Sequence, residues 1–215
     1  MDHLTQYRTY RREGKDLNVR LINTCLTEEA AQKSAMFLRG GRSEDDVNVF
    51  DEETLGDLRK DFALNDIQLD GTTAVESFCE QELWESDLEK EIAEALMQSE
   101  TSLLRVMSVH EEVGRLNMDD VLNDETRIRL TDIGLSKTVE PGVLLFCRLI
   151  RFEDVNMTSG VVFPFPGERE DDLISVYEEL RKELDAHPGS MVRFVSFYKM
   201  YKQFGRGMQI FQFDE

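Results

Sequence analysis

The hydrophobic period of this chain changes near residue 101, and that change constrains the fold more than any other feature. Before it, apolar residues recur three and four apart, the spacing of one face of an α-helix. Leu17, Leu21, Ile22 and Cys25 make a first such stripe. Thr27 can cap a second helix through Ala30, Ala31, Ala35 and Leu38, which Gly40-Gly41 then stops. Val47 to Phe50 reads as a short edge strand, and Leu55, Leu58 and Phe62 as a third helical stripe. The longest helix is predicted over 73–97, where Val75, Phe78, Cys79, Trp84, Leu88, Ile92 and Leu96 keep the rhythm.

After residue 101 alternation takes over. Strands are predicted over 101–109, where a helix is the alternative, and over 127–130 and 143–152, the last with Arg148 and Arg151 facing outward. A turn at 156–160 leads to a return strand at 161–163, ended by Pro164 and Pro166. A helix over 171–186 carries Leu173, Tyr177, Leu180 and Leu184 on one face. Its acids lie at the N-terminal end and Arg181 and Lys182 at the other, as the helix dipole favours. Residues 191–201 and 208–213 read as strands joined at Gly205-Arg206-Gly207, a terminal β-hairpin. The class is therefore α+β: a helical N-terminal half, then a small antiparallel β meander or barrel with one packed helix and a C-terminal hairpin. Residues 1–100 form the helical region and 101–215 the β-rich one, sharing an interface because no Pro/Gly/Ser linker divides them.

Charge narrows the functional classes. The 215 residues hold 44 acidic and 25 basic side chains, a formal charge of -19, which argues against a dedicated duplex-DNA binder. Residues 43–125 alone are net -20, either a solvated helix face or a contact for a basic partner. No apolar run reaches the roughly 20 residues of a membrane span. The polar N-terminus lacks a signal peptide, so a cytoplasmic protein is expected. Cys25, Cys79 and Cys147, far apart and in apolar settings, read as buried thiols.

Signatures of nucleophilic hydrolases, zinc proteases and nucleotide-binding loops are missing, and no cofactor or metal is expected. His110 beside Glu111 and Glu112 is a candidate base, and Asp66 to Gly71 resembles the start of a calcium loop. That loop has Ser77 at its twelfth position and Glu76 one residue early, so an interhelical turn is the better reading. Leu38 to Ser43 could offer amides and guanidinium groups to a phosphate, but serves equally as a helix stop. From Gly189 to Phe213 the chain holds no acid. There Arg193, Lys199, Lys202 and Arg206 interleave with Phe197, Tyr198, Tyr201 and Phe204. On a hairpin, Arg193, Tyr198, Lys199, Tyr201, Lys202 and Arg206 would form a basic-aromatic surface for an anionic partner.

The motif order resembles an uncharacterised family of bacterial proteins, seen notably among planctomycetes. The likeness rests on Tyr7-Arg8 to Arg12, Leu17-Asn18, Leu38-Arg39-Gly40-Gly41, Val49-Phe50-Asp51 with Glu53, Glu140-Pro141-Gly142 and Met157-Thr158-Ser159-Gly160. It covers about residues 1–165 and implies the same two-part layout, with no assigned activity. The expected function is a cytoplasmic, non-catalytic interaction or adaptor protein, with a protein partner or self-association and no membrane. Two rivals are a metal-dependent hydrolase or nuclease using acidic residues, and an RNA- or single-strand-associated protein acting through the hairpin.

Overall fold

A computed structural model describes residues 2–38, 52–123, 125–184 and 186–204. Five helices come first: α1 (His3–Thr24), α2 (Glu28–Phe37), α3 (Glu52–Asn65), α4 (Ala74–Glu80) and α5 (Asp87–Met97). Then follow β1 (Glu100–His110), β2 (Arg115–Asp120), β3 (Ile128–Thr131), the short α6 (Leu135–Thr138), β4 (Leu144–Arg151) and β5 (Asn156–Phe165). Helices α7 (Glu170–Glu183) and α8 (Gly189–Phe204) close the described chain. The α+β reading holds, and the period change at residue 101 marks the entry into β1. The glycine stop at 40–41 and the expected strand at 47–50 lie outside the described residues.

Local chemistry sets the helix ends. Asp2 accepts from the Leu4 amide at 3.0 Å, so α1 begins far earlier than its apolar stripe suggests. Thr27 and Ser86 cap α2 and α5 in the same way. Thr73 and Glu76 form a reciprocal capping box at α4 (3.2 and 2.7 Å), which engages Glu76 within the helix end. The predicted long helix over 73–97 is two helices. Its break falls at Glu82, left-handed at φ 51°, and Ser86 restarts the chain as a new cap.

The strands close into a barrel in the order β1-β2-β3-β5-β4 and back to β1. All pairs are antiparallel except β3 with β5. That is the strand order of OB-type Greek-key barrels. Residues 156–160 are not a turn: they begin β5, and the register slips between Cys147 and Leu149 opposite them. Gly160 takes φ 103° there, a conformation suited to glycine.

Three apolar clusters hold the molecule together. Leu104, Val106, Leu116, Met118, Leu130, Leu145, Cys147 and Leu149 fill the barrel. Outside it, Leu103, Leu144, Phe146, Phe163 and Phe165 meet Phe62, Leu173, Phe194, Phe197 and Tyr201 from the helices. The ring of Phe197 stacks on Phe146 at 4.3 Å, and Tyr201 on Phe163 at 5.2 Å. The third cluster sets α1, α4 and α5 against Ile150, Val155 and Met157 at one end of the barrel. There Arg11 ties α1 down, donating to Thr158 O (2.7 Å) and to the Asp132 carboxylate (2.8 Å).

The terminal hairpin requires correction. Residues 189–204 are helical, and Met191, Val192, Phe194, Val195, Phe197, Tyr198, Met200 and Tyr201 are all buried. A helix lodged between neighbours is apolar all round, so its sequence loses the 3.6-residue stripe and mimics a strand. The expected turn at 205–207 and second strand at 208–213 lie outside the described residues.

Candidate functional site

The predicted basic-aromatic surface does not form. Tyr198 and Tyr201 are 3% and 1% exposed. Tyr198 donates to Leu38 O at 2.7 Å, and burial pushes the Tyr201 hydroxyl up to about 12. Arg193 donates to Thr101 O at 2.5 Å. Lys199 is exposed and Lys202 half-buried, so the helix leaves these cations at its surface while it turns the rings into the core. Arg206 lies outside the described residues.

The first suspects of the hydrolase reading do not share a site. His110 ends β1 among Ser108 and Asn117, with contacts of 3.4 and 3.2 Å. Asp66 is fully buried, bonded to Arg148. Its loop is the interhelical turn expected, with Asp70 and Gly71 both left-handed. Among the described residues, no group of three or more His, Cys, Asp or Glu is placed to hold a metal. No helix among them is long and apolar enough to cross a membrane. Cys147 is buried, whereas Cys25 and Cys79 are only half-buried.

The outward face of β1, β2 and β3 carries a polar array that sequence reading did not single out. Leu116 and Met118 of β2 point into the barrel, so Arg115, Asn117 and Asp119 point out. Strand register places His110 opposite Arg115, Ser108 opposite Asn117 and Arg105 opposite Asp119. On the other side Asn117 faces Arg129, and Arg127 precedes β3. Asn117 Nδ2 donates to Ser108 Oγ at 2.8 Å, fixing the middle row. The Arg127 amide donates to Asp119 at 2.9 Å.

Ion pairing divides the arginines of this region. Arg105 bonds Glu170 at the start of α7, and Arg151 pairs with Glu125 at 2.5 Å. Arg115, Arg127 and Arg129 make no ion pair among the described residues, although the chain holds 44 acids. Arg127 and Arg129 are exposed and Arg115 half-buried. The signal for this in the sequence is the Arg127-Ile-Arg129-Leu alternation, but which face is covered depends on helices elsewhere in the chain.

No curated protein and no solved structure matches the chain. One family model does, over residues 1–210, a span that takes in all the described residues. The chain belongs to DUF7986, a family of unknown function.

Proposed function

We propose that this is a non-catalytic interaction protein whose contact surface is the outward face of β1, β2 and β3. The observation that carries the reading is the set Arg115, Arg127 and Arg129, three guanidinium groups without carboxylate partners among the described residues of a strongly acidic chain. Arg115 on β2 and Arg129 on β3 are diagonal neighbours across the antiparallel pair, roughly 7–8 Å apart on one face. An extended acidic segment, with carboxylates on alternate residues, repeats at that same interval. Each guanidinium can then take a carboxylate by two parallel hydrogen bonds.

An acidic protein segment fits this face better than a nucleic acid. Glu111 and Glu112 follow β1 at one end and Asp119 stands toward the other, so a long polyanion meets repulsion that a short segment avoids. The outward rows of β2 and β3 also carry no ring on which a base would stack.

The test uses a labelled peptide with alternating Glu and a single-stranded oligonucleotide of equal charge, both at low salt. The peptide should bind, and an Arg115→Glu, Arg129→Glu double variant with an unchanged circular dichroism spectrum should not. Tighter oligonucleotide binding that depends on the same arginines would keep the face and replace the partner. Binding of neither probe, or binding indifferent to the double variant, would remove the face from consideration.

A further inference from the structure

We infer that the junction of α7 and α8 is a second site, which takes a small organic phosphate. It rests on different residues from the barrel face. A cavity of roughly 410 Å³ opens there, lined by Tyr177, Arg181, His187, Gly189, Val192 and Arg193. Two arginines and a histidine thus converge on one space, and its described lining holds no carboxylate.

The fold holds these groups in place. Arg193 is anchored through one terminal nitrogen to Thr101 O at 2.5 Å, while its buried Nε has no hydrogen-bond partner. Guanidinium carries five N–H donors, so fixing one leaves donors to spare. His187 is oriented by edge contact with Phe37 (ring centroids 5.5 Å apart) and by its own amide on Leu184 O at 3.0 Å. Arg181, the outermost group, sits 3.4 Å from Glu178, a long and exposed pair that a phosphate could displace. The first turn of α8 itself contains no acidic residue.

Size and lining select the ligand class. The volume falls within the range of small-molecule sites and exceeds what a bare phosphate fills. Tyr177 and Val192, both buried, form an apolar floor beside the arginines, against which an organic body can rest. The ligand is therefore a phosphate monoester, with its oxygens on Arg193 and Arg181 and its carbon part against Tyr177 and Val192.

Isothermal titration with inorganic phosphate and with phenyl phosphate tests this on the full chain. Phenyl phosphate should bind more tightly than inorganic phosphate. Arg193→Gln should weaken both by about tenfold or more, the loss of a charge-assisted fork. Arg181→Gln, at an exposed position that the fold does not need, should weaken both by a smaller factor. Absence of binding at about 10 mM of either probe would overturn the site. So would binding that both variants leave unchanged. Equal affinity for the two probes would overturn the organic half of the assignment.

Discussion

At Asp66 a carboxyl group has been carried into the core beside a guanidinium that it shares with Asp61. Arg148 is 3% exposed, and its Nε lies 3.3 Å from Asp61 while a terminal nitrogen bonds Asp66. Alternation along β4 places Arg148 outward, and it does point out of the barrel; helices then cover that outer surface. A single-strand pattern reports which side a residue takes and is silent about what lies over it. Burial raises the Asp66 carboxyl from 3.8 to about 6; Arg148 opposes the shift and Asp61 adds to it. Between those values the folded state holds a proton that the unfolded state has lost, so this group's contribution to stability falls as pH rises through that window. Denaturant unfolding of the parent and of Asp66→Asn across pH 4–7 should therefore show the parent losing ground to the variant as pH rises. A constant difference would place the carboxyl in a solvated setting. Arg148→Ala leaves two carboxylates facing each other in the core, and should cost roughly 3–5 kcal/mol.

Helix α8 shows where an element's sequence and its conformation part company. Its residues are rich in Phe, Tyr and Val, its neighbours lie on nearly every side, and only the tertiary setting makes it helical. By contrast α7, with one buried stripe and charges arranged along its dipole, is legible to within one residue at its start and three at its end. Phe197, fully buried and stacked on Phe146, is the center of the α8 contact with the barrel. Phe197→Ala should cost about 3–5 kcal/mol in urea unfolding with little change in the denaturant slope. A cost under about 1 kcal/mol would mean that α8 is not packed as described. The break between α4 and α5 gives an opposite expectation. Glu82 is exposed and left-handed at φ 51°, so Glu82→Gly removes a backbone strain and should stabilise by up to about 1 kcal/mol. A destabilised variant would show that the Glu82 side chain holds the turn.

Over the whole molecule, the two-part order of helices and barrel follows from the period change, but barrel closure does not. The β1–β4 and β3–β5 pairs join residues distant in sequence, and no local pattern encodes them. The candidate face was illegible for the same reason: Arg115 and Arg129 become diagonal neighbours only after β2 and β3 pair and the helices gather on the opposite side. The chain carries 44 acids against 25 bases, so added NaCl should raise the melting temperature by screening repulsion. A temperature flat or falling with salt would mean that the acids are already paired. The central claim is that the open barrel face makes the protein's contacts. A photo-crosslinking amino acid placed at Asn117, and for comparison at the exposed Glu179 of α7, reads this directly in the cells that make the protein. The account predicts a discrete protein adduct from position 117 that the Arg115→Glu, Arg129→Glu changes abolish. An adduct from position 179 alone, or one from position 117 that survives both charge reversals, would contradict it.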